Sequence, residues 1–115
     1  MVNVLTREAW PDALVASVLE AADLVAKNFH DDGVLLHVLM GDVTRFVEAA
    51  YAAGDLPLVS RCLNFLDVSL RHGDADVQNA VSVSFVENVG PWDAAKAAFI
   101  ATWPDALRQD AEHFR

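Results

Sequence analysis

The chain has 115 residues, 54% of them hydrophobic and 22% charged, the length of one domain with material for a core, and not the composition of a disordered segment. Its net charge of −9 excludes nucleic acid and an anionic membrane surface as partners, because both demand a cationic face. The same charge suits solubility and a basic protein partner.

There is one cysteine, Cys62, so no internal disulfide and no oxidising compartment is implied. The stretch Met1 to Trp10 carries Arg7 and Glu8 and does not read as a signal peptide. No apolar run has the length of a bilayer span. The expected location is the cytoplasm. No linker, low-complexity block or clean repeat interrupts the chain, and 1–115 reads as a single helical domain.

The first helix is predicted from Asp12 to Phe29. Pro11 and Asp12 suit a helix start, and Leu14, Val18, Leu24, Val25 and Phe29 recur at near-helical spacing. Asp31-Asp32-Gly33 ends it. A second helical region is expected over Val34 to Ala53, kinked or divided at Gly41-Asp42 with Asp42 as an N-cap. Gly54 reads as the left-handed residue that closes it. The third helix is the plainest. Asp55 caps it, Pro57 sits in its first turn, and Val59, Cys62, Leu63, Leu66 and Leu70 make one apolar stripe. Arg71 and His72 suit its negative end, and Gly73 closes it.

The fourth segment, Ala75 to Val89, reads two ways. Val81 to Val86 alternates like a strand, but Asp74 is a good N-cap, Val77, Val81, Phe85 and Val89 fit a step of four, and a lone strand would have no partner. Helix is the better reading. After Gly90-Pro91 come two short helices, Asp93 to Thr102 and Pro104 to His113. The predicted fold is therefore all-α with about five to six helices, either an irregular helical bundle or HEAT-like stacked helix pairs.

No residue pattern marks a catalytic centre. His30, Asp31, Asp32, His37 and Asp42 form the densest group of ligand types, yet no paired-histidine, paired-cysteine or EF-hand spacing occurs. A solvated acidic turn explains them more simply, and neither a metal nor a cofactor is expected. His72-Gly73-Asp74 reads as helix-end signals rather than a base with its carboxylate. Cys62 falls on an apolar stripe, where a thiol behaves as a small hydrophobe. Ser82 and Ser84 lie in no nucleophile motif. Gln78, Asn79, Ser82, Glu87 and Asn88 interrupt the otherwise apolar fourth segment. They are either bonded internally or the polar floor of a groove.

Two stretches together resemble a known family: His37-Val38-Leu39-Met40-Gly41-Asp42-Val43-Thr44-Arg45-Phe46, and the run from Asp76 through Gln78, Asn79, Ser84, Phe85 and Glu87 to Asn88. They resemble an uncharacterised family of small bacterial all-helical proteins, similar to the immunity proteins encoded beside secreted toxins, and the resemblance covers most of the chain. It implies a stoichiometric inhibitor of a cognate toxin, one with a basic, nuclease-like cleft, and it carries over no catalytic residue. Expected contacts are acids near helix ends, Asp31, Asp32, Asp42, Asp55, Asp74 and Asp76, each with a competing local role as cap or turn. Aromatic hot spots are the other candidates: Trp92, Trp103 and Tyr51.

Two further readings stand beside this one. One is a structural or adaptor helical domain that binds a peptide or forms a homodimer; an exposed apolar groove between helices would favour it. An acidic, mostly polar convex patch would favour the toxin inhibitor. The third is a small metalloenzyme built on His30 and His37.

Overall fold

The computed structural model describes residues 4–30 and 33–115; Asp31 and Asp32, two of the expected contacts, lie outside the described residues. Among the described residues seven α-helices follow in order: α1 (Trp10–Ser17), α2 (Ala22–Lys27), α3 (Leu36–Ala52), α4 (Leu56–His72), α5 (Ala75–Ala80), α6 (Ala97–Ile100) and α7 (Asp105–Ala111). Short 3₁₀ turns precede α2 and α6 and follow α7, and a π-helical segment, Val81–Glu87, continues α5. Between α2 and α3, β1 (Phe29–His30) and β2 (Gly33–Val34) pair antiparallel, with Phe29 opposite Val34. No helix among the described residues is long and apolar enough to cross a membrane.

The all-α expectation holds, and the helix count exceeds it because the first predicted helix breaks. Val18 leaves the helical region (φ −136°, ψ 88°). The break keeps Val18 and Ala21 in the core while Leu19, between them, faces outward. The second prediction also needs correction. Gly41-Asp42 neither divides the helix nor caps it, and α3 runs unbroken across it. The Asp42 carboxylate instead accepts from Asn28 Nδ2 at 2.8 Å and pairs with Arg45 and Lys27, fastening α2 to the flank of α3.

α4 is central, touching α1, α3, α5, α7 and the π-helical segment. Its predicted stripe is the inward one: Val59, Cys62, Leu63 and Leu66 are in the core, and Leu70 is partly buried against it. Asp55 caps it by accepting from the Leu58 N–H, and Gly54 takes φ +77° as expected. Gly73 ends α4 for a different reason. Its backbone is extended, but a Cβ there would meet the Ser69 carbonyl at 2.4 Å and Val77 Cγ1 at 2.5 Å. The N-terminal segment clips this junction, with Leu5 bonded to His72 O and Asp74 N at 2.9 Å each.

The core contains an internal polar chain. Trp10 Nε1 donates to Ser69 Oγ at 2.9 Å, and Ser69 donates to Phe65 O at 2.8 Å, so a fully buried indole and hydroxyl are both satisfied. Asp67, also buried, accepts from Leu107 N–H and pairs with Arg71. It supplies from another helix the capping acceptor that Pro104 cannot offer α7.

Candidate protein-interaction site

The described residues bring together one conspicuous surface, where the start of α3 meets the π-helical segment. The π-helical segment forms one side of it. At the end of that segment Asn88 N–H donates to Phe85 O, three residues back, rather than closing an α turn onto Ser84. The Ser84 carbonyl is served from elsewhere, by the Thr44 hydroxyl at 2.9 Å and Asn88 Nδ2 at 3.2 Å. Thr44 lies equally close to Met40 O, so its single proton is shared between two carbonyls. Single π turns inside helices are frequent at functional sites.

Ser84 Oγ then meets His37 Nδ1 at 2.6 Å, at the second residue of α3. Among the described residues this is the only hydrogen bond to the imidazole, and no carboxylate orients the ring as a general base's partner would. The pair ties α3 to the π-helical segment at the edge of a groove of about 450 Å³. His37 and Gly41 form one wall, Val83, Ser84 and Glu87 the other, and Trp92 closes an end. Trp92 is presented by a tight turn. Asp93 N–H bonds Gly90 O at 2.9 Å, Pro91 occupies the position its ring favours, and Gly90 takes φ +92°. Trp92 is 64% exposed.

This groove does not stand alone. His37 also lines a cavity of about 310 Å³ bounded by Leu35, Val38, Arg7 and Asp76. Arg7 lines a third, of about 560 Å³, with Phe29, Pro11 and Asp12. Five of the large exposed apolar side chains, Phe29, Leu35, Val38, Val83 and Trp92, fall on these three cavities. Scattered single exposures need no explanation, whereas a shared band does.

Residues 12–114 match the model of a domain of unknown function, DUF7674. The chain belongs to this family. No curated protein and no solved structure matches it significantly. The groove residues from His37 to Trp92 lie wholly within the DUF7674 match.

Within the DUF7674 domain the sequence-predicted contacts separate. Asp42 and Asp55 are committed locally, as described above. Asp74 caps α5 through the Val77 N–H and also accepts from the Arg7 N–H, and these two bonds lower its pKa. Asp76 is exposed, pairs with Arg7 at 3.2 Å and borders the interaction band. Trp92 stands in the groove. Trp103 is a core residue instead: it is 2% exposed, tilted against Phe85 and edge-on to Phe99. Tyr51 is half-buried against Phe99.

The expected polar floor is partly there. Glu87 and Asn88 line the groove, Ser82 bonds Asp110 at 2.7 Å, and Gln78 bonds Leu70 O. Val38, Val83 and Ser84 were not singled out as contacts. Val83 breaks the step of four that marks the buried face, and that was the available signal.

The remaining chemistry-bearing groups are placed as follows. Cys62 is buried and its thiol is pushed up to about 11 by burial, which makes it a poor nucleophile. Among the described residues, no three His, Cys, Asp or Glu side chains converge as a metal site. His37 is taken up by Ser84, and Asp42 by its cations and Asn28.

Proposed function

We propose that this chain works by binding another protein, through the apolar band that runs from Phe29 to Trp92, and that the partner's matching surface is basic. The observation that carries the reading is the contiguity of Leu35, Val38, Val83 and Trp92 along linked cavities, with Asp12, Glu87 and the Asp76–Arg7 pair on the margins. An aromatic anchor flanked by aliphatic contacts and ringed by polar groups is the usual anatomy of an interface centre. The net charge of −9 favours a cationic partner and disfavours a second copy of the same chain, since two such surfaces repel. The apolar groove between helices supports an interaction domain of adaptor type over a purely polar inhibitory patch.

The narrower reading is an immunity protein that neutralises a cognate bacterial toxin by stoichiometric binding. Its support is the acidic charge, which would steer association with a basic nuclease-like cleft, together with the resemblance in the His37–Phe46 and Asp76–Asn88 stretches. The chain then acts by occlusion and needs no catalytic residue.

Affinity capture from the native host, with mass spectrometry of the eluate, tests both. The expected result is a stoichiometric basic protein retained by the wild-type chain and lost with Trp92→Ala, whose fold is unchanged. A partner carrying a toxic enzymatic domain selects the immunity reading, and a non-toxic one selects the adaptor. A partner held equally well by Trp92→Ala removes the band as the contact face.

A further inference from the structure

Glu87 sits half-buried in the groove wall and, among the described residues, has neither a cation nor a hydrogen-bond donor beside it. Every other described carboxylate withdrawn to that degree has one. Asp42 has Arg45 and Asn28, Glu48 has Lys96, Asp67 has Arg71, Asp74 has backbone N–H groups, and Asp110 has Ser82. Glu87 also closes the π-helical segment, next to the negative end of a helical stretch, where a carboxylate is disfavoured. Nothing local rewards it.

Its neighbours in the groove complete a recognisable set. The exposed Trp92 indole offers a flat π face. Asn88 spends its amide N–H on Ser84 O, which leaves its side-chain oxygen as an acceptor. A planar cation bearing several N–H donors fits such a set: it stacks on the indole while its edge meets carboxylate and amide oxygens. An ammonium satisfies the charge but not the stacking.

Resting on the protein-binding reading, we propose that this groove receives an arginine side chain of the partner, stacked on Trp92 and paired with Glu87. The test is a nitrogen-edited NMR titration of the whole chain with capped Gly-Arg-Gly, Gly-Lys-Gly and Gly-citrulline-Gly peptides. The indole N–H of Trp92 is the reporter, with the buried Trp10 and Trp103 as internal references. The arginine peptide is expected to move the Trp92 and Asn88 side-chain signals, the lysine peptide several-fold less, and the citrulline peptide not at all. Glu87→Gln should weaken arginine binding about tenfold, the usual scale for losing one charged hydrogen-bond partner. Shifts spread evenly over the acidic surface, or a titration unchanged by Glu87→Gln, overturn the arginine assignment. A captured protein partner that depends on Trp92 but not on Glu87 would overturn it too, while leaving the interaction face in place.

Discussion

Ser69 and Ser84 are the same residue in similar company, and they behave differently. Each lies on a helical segment, and each hydroxyl meets a ring nitrogen from another helix, Trp10 Nε1 at 2.9 Å and His37 Nδ1 at 2.6 Å. Ser69 is fully buried and passes its proton to Phe65 O, so that network is closed. Ser84 is half-buried, and its network opens onto a groove edged by an exposed indole. A polar pair in the core serves folding, because leaving either member alone is costly. At a groove edge the same pair holds two helical segments in register and presents what lies between them.

The comparison is tested most severely in the core around Ser69. Leu66 is fully buried one turn before it. Leu66→Ala should cost about 2–5 kcal/mol, the range for a buried leucine, read as a lowered urea midpoint. A midpoint within error of wild type would contradict the packing of α4. Next in size, Ser69→Ala removes the acceptor of the Trp10 indole and should cost about 1–3 kcal/mol. Ser84→Ala should cost less, about 0.5–1.5 kcal/mol, since water can reach the imidazole it leaves. Equal losses in the two serine variants would erase the distinction between the networks.

Acid provides a gentler probe of the surface. Arg61 hydrogen-bonds Glu20 and holds its carboxyl at about 2, against an ordinary 4.5. Asp42 is lowered by Asn28 and then Arg45, and Asp74 by the N–H groups of Val77 and Arg7. Folded-state values below the unfolded ones mean that these groups stabilise fully above the unfolded pKa, and that the contribution fades as pH falls through the folded pKa. The urea midpoint should therefore be level from neutral pH down to roughly 5 and decline below that. For Glu20 the decline spans about 4.5 to 2. Glu20→Gln should flatten part of that slope, modestly because the pair with Arg61 is exposed. A slope identical to wild type would assign the acid sensitivity to Asp42 and Asp74.

Much of this architecture is legible from local chemistry alone. The cap at Asp55, the left-handed Gly54, the stripe from Val59 to Leu70 and the helical state of Ala75 to Val89 follow from spacing and from residues whose preferences act within one turn. The failures are tertiary. Nothing near Val18 announces a break, because what fixes it is burial of Val18 and Ala21 against other helices. Asp42 looks like a cap and is a clasp, because Asn28 and Lys27 reach it from α2 across a fold the sequence does not display, while Arg45 pairs with it within α3. Trp103 and Trp92 are indistinguishable by type, and only packing sends one into the core and the other into solvent. The groove has contributions from both resembling stretches, yet no spacing rule shows that His37 and Ser84 meet.

The smallest expected effect on stability bears most directly on the outer site. Gly41 lies inside α3 with ordinary helical backbone, and a Cβ there would meet nothing closer than the Arg45 guanidinium at 3.9 Å. Folding therefore does not require glycine at this position. Gly41→Ala should stabilise the chain by about 0.5–1 kcal/mol, through the better helix propensity of alanine and a less disordered unfolded state. Yet Gly41 lines the groove, so the added methyl also narrows it. A variant that is more stable and captures its partner less well would locate the reason for this glycine in recognition. A stability gain with capture unchanged would place the partner's contacts farther along the band, towards Leu35 and Phe29.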